Sequence, residues 1–245
     1  MLFYKINISK FFMPMFKRFI QIAGVIDKEE ANMLVEAGVR FLGFPLRLPV
    51  NKEDISEKDA AEIISELPKS VSGVLITYLD KAEEIKSLSN KIGVKIIQLH
   101  GDISLSELIK LKEIFHESRI IKSLIVGKDT NKKLLETITK LEKYVDAFIT
   151  DTYNPQTGAT GATGITHDWE ISRTLVKRSN KPVILAGGLT PNNVCDAILK
   201  VKPAGVDTHT GVEDNVGRKD KIKVSRFINE ANKGFNKTEN NSNDL

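Results

Sequence analysis

Eight repeats of one local pattern constrain the fold of this chain more than any other feature of its sequence. Each repeat is a short run of apolar and β-branched residues, then a loop, then a longer amphipathic stretch. Short apolar runs predict buried strands, and stretches with helical periodicity predict helices that cover a parallel sheet. Eight such units in 245 residues predict an α/β protein with a single-domain (β/α)8 TIM barrel.

The predicted strands and helices alternate without a long interruption. The strands are Phe19–Ala23, Arg40–Phe44, Gly73–Thr77, Lys95–Leu99, Arg119–Leu124, Ala147–Asp151, Val183–Ala186 and Gly205–Thr208. The helices are Lys28–Ala37, Glu57–Leu67, Lys81–Ile92, Leu105–Phe115, Asn131–Lys143, Asp168–Ser179, Asn192–Val201 and Lys219–Ala231. An open, doubly wound sheet would carry a Gly-x-Gly-x-x-Gly fingerprint after its first strand, and none follows Ala23.

The two ends of the chain lack this alternation. Residues 1–18 mix lysines with aromatic residues and hold no apolar stretch long enough to span a bilayer, so we expect an N-terminal arm that is disordered or that precedes the true start. The barrel is expected over residues 19–233. Residues 234–245 are polar and rich in asparagine, which predicts a disordered tail.

Composition and charge disfavour several classes of protein. The net charge is +4, but the lysines and arginines are scattered rather than gathered in a stripe, so we expect no nucleic-acid partner. The single cysteine, Cys195, cannot form an internal disulfide, and no Cys/His cluster predicts a metal site. We therefore predict a cytoplasmic protein that does not bind membranes, either a monomer or a homodimer.

Polar side chains close several of the predicted strands. Strand four ends in Gln98 and His100, strand six in Asp151 and strand eight in Asp207. The carboxyl ends of all strands in a barrel meet at one mouth, where the catalytic residues of such enzymes lie. We therefore expect these side chains to converge.

Glycine turns follow three of the strands. They are GATGATG at Gly158–Gly164, Gly187 and Gly188 after strand seven, and Gly211 after strand eight. Backbone N–H groups in the last two loops of a barrel often bind phosphate. The sequence therefore predicts a site for a small phosphorylated sugar at this mouth.

As an ordered set, several motifs resemble phosphoribosylanthranilate isomerase, a (β/α)8 enzyme of the tryptophan pathway. They are QLHGD at Gln98–Asp102, Asp151 with the glycine-rich loop and HDW at His167–Trp169 that follow it, LAGGLTPNNV at Leu185–Val194, and the later VD, GVE and KD. The resemblance covers about residues 19–231. It implies an aldose–ketose isomerase that needs no cofactor and performs an Amadori rearrangement, in which the substrate keeps its 5-phosphate.

This reaction requires an acid that protonates the furanose ring oxygen, a base that removes the C2 proton, and groups that neutralise phosphate and carboxylate. The resemblance gives Asp151 the role of the acid and puts Asp207 near the sugar hydroxyls. An aspartate that only caps a loop is the alternative for Asp151. The resemblance also implies a phosphate held by the backbone of Gly187, Gly188 and Gly211, with the Thr210 hydroxyl as a further donor.

Three more side chains are candidates for substrate contacts. Arg47 follows strand two and could pair with the anthranilate carboxylate, because guanidinium binds carboxylate through two hydrogen bonds; a surface arginine is the alternative. Gln98 and His100 either contact the substrate or form structural hydrogen bonds.

Strand one departs from the family that the motifs resemble. The family normally reads KICG there, and its cysteine is the general base, whereas this chain has Gln21-Ile22-Ala23-Gly24. The GATGATG loop is longer than usual, and His209 stands where the family has a small hydroxyl residue. Strand eight pairs with strand one in a closed barrel, so His209 is expected beside Ala23. We hypothesise that its imidazole supplies the base, a phosphate ligand being the alternative.

Three functions remain open from the sequence. The first is an isomerase of the resembled type with rearranged catalytic groups. The second is a barrel enzyme of another class, a lyase or epimerase, acting on a phosphorylated sugar. The third is a non-catalytic phosphosugar-binding protein. Asp151 argues against the third, because binding alone requires no acid at that position.

Overall fold

The strands form a closed parallel barrel in a computed structural model that describes residues 15–49, 54–152 and 168–243. They are β1 Phe19–Ala23, β2 Phe41–Pro45, β3 Ser72–Thr77, β4 Ile96–Leu99, β5 Arg119–Val126, β6 Ala147–Thr152, β7 Val183–Leu185 and β8 Gly205–Thr208. Each strand pairs with the next, and β8 closes the barrel on β1. The predicted (β/α)8 fold is confirmed, and every predicted strand overlaps its observed counterpart.

Helices surround the barrel in the predicted order. They are α1 Lys28–Glu36, α2 Glu57–Glu66, α3 Ala82–Ile92, α4 Leu105–Ile114, α5 Asn131–Leu141, α6 Trp169–Arg178, α7 Val194–Val201 and α8 Lys221–Asn243. A short 3₁₀ turn, Thr210–Val212, lies between β8 and α8. Side-chain caps fix where several helices begin, as when Asp27 accepts a hydrogen bond of 2.8 Å from the backbone N–H of Glu30. None of the helices in the described residues is both long and apolar enough to cross a membrane.

The inside of the barrel changes from apolar to polar along the strands. Apolar side chains fill its lower part, among them Phe19, Ile96 and Ile149. Successive side chains of a strand alternate between its two faces, so the residue two positions further on points inward as well. At those positions the inner residues are polar and buried, namely Gln21, Gln98, Asp151 and Asp207. The polar layer thus lies at the carboxyl ends of the strands.

Helix α8 corrects the prediction for the C-terminal end. The tail expected to be disordered over residues 234–245 is instead helical as far as Asn243. The reason is packing, since Phe235 is only 4% exposed and joins the main core. The Arg18 side chain holds the same segment through hydrogen bonds to Asn236 at 2.5 Å and to Glu239 at 2.7 Å.

The start of the barrel also differs from the prediction. Phe16 lies in the arm expected over residues 1–18, yet it is buried, and its ring packs on that of Phe19 with centroids 5.6 Å apart. The folded part of the chain therefore includes residues 15–18. The rest of the predicted arm, residues 1–14, lies outside the described residues.

Candidate active site

Asp151 is the last inward-facing residue of β6. Its side chain is buried, and its Oδ1 accepts a hydrogen bond of 2.8 Å from the backbone N–H of Thr152. Burial, opposed by the Thr152 N–H and aided by the charge of Asp207, raises the pKa of Asp151 to about 7. A carboxyl group with this pKa can hold a proton and release it near neutral pH.

Asp207 lies on the other side of the mouth, on β8. Barrel closure pairs it with Gln21 of β1, whose Nε2 donates a hydrogen bond of 2.8 Å to Asp207 Oδ1. Burial raises the pKa of Asp207 to about 7, whereas the Gln21 hydrogen bond and the charge of Lys219 lower it. The mouth therefore contains two carboxyl groups that titrate near neutral pH.

A chain of polar contacts connects these two carboxyl groups, and we call it the carboxylate network: Asp207, Gln21, Gln98, His100 and Asp151. Gln21 Nε2 also donates to Gln98 Oε1 at 2.8 Å, and Gln98 Nε2 lies 2.6 Å from His100 Nε2. His100 Nδ1 faces Asp151 Oδ2 at 3.4 Å, the longest of these contacts. Four of the residues predicted from strand ends thus converge, as expected.

The network fixes the protonation of His100. Burial and then the charge of Lys122 lower the pKa of this histidine to about 3, so the imidazole is neutral at pH 7. An amide nitrogen only donates, so His100 Nε2 must accept from Gln98 and the ring proton sits on Nδ1. His100 therefore presents an N–H to Asp151.

The turn after β7 is built around two glycines with left-handed backbone. Gly187 has φ +97° and Gly188 has φ +63°, conformations that side chains disfavour. Asn193 stabilises the turn through two hydrogen bonds. Its Oδ1 accepts from the Thr190 N–H at 2.8 Å, and its Nδ2 donates to the Gly188 carbonyl at 3.0 Å. Within the described part of the chain the backbone N–H groups of both glycines donate no hydrogen bond.

The turn after β8 packs closely on the turn after β7. The Thr208 hydroxyl donates to the Leu189 carbonyl at 2.7 Å, and a Cβ on Gly211 would collide with that same carbonyl. The Thr210 hydroxyl beside it forms no hydrogen bond with any described residue. The predicted phosphate-binding glycines and Thr210 therefore lie on two turns in direct contact, with unused N–H groups that suit an anion.

His209 lies against strand one, as the sequence predicted. Its imidazole occupies the space that a side chain on Gly24 would need. His209 Nε2 is 3.3 Å from Glu213 Oε1, and the buried Lys219 Nζ lies 2.6 Å from the same oxygen. Burial and then the charge of Lys219 lower the pKa of His209 to about 3. The ring is therefore neutral at pH 7.

Arg47 lies on the rim rather than in the network. Its Nε donates to Glu57 Oε1 at 2.8 Å, and Glu57 also binds Lys91 at 2.6 Å. A carboxylate of the protein therefore holds the guanidinium in this structure.

The GATGATG loop at residues 158–164 and His167 lie outside the described residues. Among the described residues no group of histidine, cysteine, aspartate and glutamate side chains could hold a metal ion.

Sequence reasoning missed three residues of this site. Gln21 enters the sequence interpretation only as part of the altered strand one, although its position two residues before Ala23 puts a polar side chain on the inner face. Glu213 and Lys219 belong to the GVE and KD motifs, but nothing in their spacing revealed that they meet beside His209. Only the path of the loop after β8 brings them together.

Comparisons with known proteins agree with one another. The family model described as N-(5'phosphoribosyl)anthranilate (PRA) isomerase matches residues 20–230. N-(5'-phosphoribosyl)anthranilate isomerase 2 of Methanosarcina mazei is 40% identical over 223 residues, which are 90% of this chain and 97% of the relative. N-(5'-phosphoribosyl)anthranilate isomerase of Geotalea uraniireducens is 36% identical, with 86% and 97% covered.

Solved structures give the same picture. The crystal structure of phosphoribosyl anthranilate isomerase from Thermotoga maritima superposes with a TM-score of 0.75 at 30% identity, covering 88% of this chain and 99% of that one. A structure of phosphoribosyl anthranilate isomerase in complex with reduced 1-(O-carboxyphenylamino)-1-deoxyribulose 5-phosphate superposes with a TM-score of 0.73 at 28% identity, with the same coverage.

Proposed function

The chain belongs to the N-(5'-phosphoribosyl)anthranilate isomerase family and is an isomerase of tryptophan biosynthesis, and from this premise we propose which of its residues perform the reaction. The reaction is the Amadori rearrangement of phosphoribosylanthranilate to 1-(o-carboxyphenylamino)-1-deoxyribulose 5-phosphate. Of the three functions that the sequence left open, family membership selects the isomerase over a lyase or epimerase and over a non-catalytic binding protein.

We propose Asp151 as the general acid, and one observation carries this assignment. Asp151 is buried at the end of β6 with a pKa raised to about 7, so that a large fraction of it holds a proton at neutral pH. The His100 Nδ1 faces its Oδ2 at 3.4 Å. Gln98 fixes the tautomer of His100, which makes Gln98 and His100 positioning residues for the acid. Protonation of the ring oxygen opens the furanose to an iminium.

The 5-phosphate is proposed to bind between the turns after β7 and β8. Support comes from the unused N–H groups of Gly187 and Gly188, the close approach of Gly211 to Leu189, and the Thr210 hydroxyl. An anion there accepts several short hydrogen bonds without competing partners. Asp207 lies on β8, the strand that leads into the second of these turns, and is proposed to contact the sugar hydroxyls.

Two further assignments from the sequence remain proposals. Arg47, whose Nε donates to Glu57, is proposed to bind the anthranilate carboxylate. His209 is proposed to line the sugar pocket beside Gly24, where its neutral ring can form a hydrogen bond with a substrate hydroxyl or the phosphate.

We propose a cytoplasmic enzyme without a cofactor, either monomeric or dimeric; a related enzyme from Thermotoga maritima is described as dimeric.

Complementation tests the proposed function directly. A strain that lacks the tryptophan-pathway isomerase should grow without tryptophan when it expresses this chain, and the purified protein should consume phosphoribosylanthranilate in a fluorescence assay. The Asp151→Asn variant, expressed to the same level, should fail in both. Absence of growth and of turnover with the wild-type chain would contradict the function.

A further inference from the structure

The base of the reaction is missing from strand one, and this gap motivates an inference that rests on the proposed function. Ala23 ends β1 on the inner face, and its methyl group cannot accept a proton. The C2 proton of the sugar must therefore pass to another group near β1 and β8. Two ionisable side chains lie there on the inner face of β8 and just beyond its end, Asp207 and His209.

We propose that Asp207 is the general base and that Gln21 is its positioning residue. Asp207 is 8% exposed at the carboxyl end of β8, on the strand that leads into the phosphate-binding turn. Its Oδ1 is held by Gln21 at 2.8 Å, while its Oδ2 has no hydrogen-bond partner among the described residues. One oxygen of the carboxylate is thus anchored and the other is available to take a proton.

His209 is the weaker candidate for the base because its Nε2 already faces a side chain of the protein and because its protonated form is disfavoured. Its Nε2 faces the Glu213 carboxylate at 3.3 Å, and the Lys219 ammonium binds the same carboxylate oxygen. Burial, and then the positive charge of Lys219, which opposes a second positive charge on the ring, lower the pKa of His209 to about 3. An imidazole with this pKa attracts a proton far less than a carboxylate whose pKa is about 7.

The orientation of Gln21 shows that Asp207 acts as a hydrogen-bond acceptor. Both contacts of Gln21 Nε2 are donations, one to Asp207 and one to Gln98, and its buried Oε1 has no partner among the described residues. With Gln98 oriented as it is, a rotated Gln21 amide would place its Oε1 against the Gln98 oxygen. Gln21 therefore leaves its own buried oxygen unsatisfied while it donates to Asp207, a costly arrangement that a role in positioning Asp207 explains.

The protonation states of the two carboxyl groups are linked. Burial raises the pKa of Asp207 to about 7, and the Gln21 hydrogen bond and the charge of Lys219 oppose that rise by favouring its ionised form. The negative charge of Asp207 in turn favours the protonated form of Asp151. Burial raises the pKa of both groups to about 7, so one can hold a proton while the other is ionised, and the pair can serve as acid and base in one site.

The proposed step is balanced without any other reactant. Asp151 gives its proton to the ring oxygen, the bond between C1 and that oxygen breaks, and the nitrogen lone pair forms the C1=N iminium. The Asp207 carboxylate takes the proton from C2, the C–H electron pair forms the C1=C2 bond, and the iminium electrons return to nitrogen. The enolamine then gains a proton at C1 and loses one from the 2-hydroxyl. Exchange with solvent returns Asp207 to the anion and Asp151 to the acid.

Steady-state kinetics on the full-length protein test this inference. Asp207→Asn keeps the size of the side chain and should lower kcat by about 10²- to 10⁴-fold, the usual contribution of a general base. Its affinity for the reduced product, 1-(o-carboxyphenylamino)-1-deoxyribitol 5-phosphate, should stay within about fivefold of wild type, because binding does not require a base. His209→Ala should lower kcat by at most about tenfold. The exposed carboxylate variant Asp196→Asn serves as the control for loss of a negative charge.

A pH profile separates a base from a structural carboxylate. The kcat/KM of the wild type should fall below about pH 7 as Asp207 gains a proton, and this acidic limb should be absent in Asp207→Asn. Gln21→Leu removes a donor that lowers the pKa of Asp207, so the limb should move to higher pH. A wild-type kcat in Asp207→Asn, or a loss in His209→Ala as large as that expected for Asp207→Asn, would overturn the inference while leaving the isomerase function intact. An inactive wild type would overturn both.

Discussion

At the scale of single residues, the mouth of this barrel holds ionisable groups whose charged forms the fold disfavours. Asp151 and Asp207 have pKa values raised to about 7 by burial, and His100 has its pKa lowered to about 3. Perturbed groups collect at sites of proton transfer, because a catalyst needs pKa values close to the working pH. The carboxylate network supplies the partners that keep these groups oriented while they remain buried.

The role of Asp151 as the acid can be tested by replacing one carboxyl oxygen with an amide nitrogen. Asp151→Asn keeps the shape of the side chain and its bond to the Thr152 N–H, but it has no acidic proton to give. We expect kcat to fall by about 10²- to 10⁴-fold while the dissociation constant for the reduced product changes less than about threefold.

Stopped-flow fluorescence on Asp151→Asn measures the rate, and calorimetry measures the affinity. Asp80→Asn is the control, since this exposed aspartate lies in the loop after β3. A normal kcat in Asp151→Asn would show that the aspartate only caps its loop.

At the scale of elements, two short turns define the anion site because they touch each other. The turn after β8 approaches the carbonyl of Leu189 so closely that position 211 admits no side chain. Hydrogen bonds from Asn193 and Thr208 hold both turns in place. The site is therefore preorganised, and binding of a phosphate requires little further ordering.

Gly211→Ala tests this contact. The added methyl must push the two turns apart, so we expect the dissociation constant for inorganic phosphate or the reduced product to rise at least about tenfold, a change of about 1.4 kcal/mol. Gly38→Ala is the matched control: it strains a φ of +92° in open space and should leave binding unchanged. Equal affinity of Gly211→Ala and wild type, measured by calorimetry, would rule out the proposed phosphate site.

The extension of α8 is a second test at this scale. Phe235→Ala removes a buried ring from the last part of the helix and should lower the free energy of unfolding by about 3 kcal/mol, with kcat unchanged at a temperature where both proteins are folded. Lys237→Ala changes an exposed residue of the same turn and should cost less than about 0.5 kcal/mol. Urea denaturation compares them. A loss as small in Phe235→Ala as in Lys237→Ala would mean that the tail does not pack.

At the scale of the whole molecule, the closed barrel creates a site that no single βα unit contains. The carboxylate network takes residues from β1, β4, β6 and β8 and from the loop after β4. Closure of β8 on β1 sets the pairing of Gln21 with Asp207. The same burial that tunes these groups for catalysis makes the native state less stable when they are charged.

The contribution of these two aspartates to the free energy of unfolding should therefore fall as the pH rises, whereas the contribution of a salt-bridged carboxylate rises with pH. Asp151 and Asp207 have folded pKa values of about 7 against an ordinary value of 3.8, so the native state binds more protons between about pH 4 and pH 7. Their contribution to stability is lost as the pH rises through this window. We expect Asp151→Asn and Asp207→Asn each to raise the unfolding free energy by at least about 1 kcal/mol at pH 8, or roughly 2–4 °C in Tm.

At pH 4 both aspartates are already protonated in the native state, so the same variants should differ little from wild type there. His100 contributes in the other direction, since its folded pKa of about 3 makes acid destabilising, but this contribution is common to all three proteins at a given pH. Calorimetric scans at pH 4 and pH 8 provide the comparison. Variants that are less stable than wild type at pH 8 would contradict the raised pKa values.

The sequence by itself determined the number, order and approximate bounds of the strands and helices, because periodicity and capping residues such as Asp27 act over a few positions. It also determined that Asp151 and Asp207 end strands at one mouth. Only the tertiary structure decided that Gln21 joins them, that Glu213 and Lys219 restrain His209, and that Phe235 holds a polar tail in a helix. These features depend on burial and on partners far away in sequence, and the closure and packing of the barrel bring those partners together.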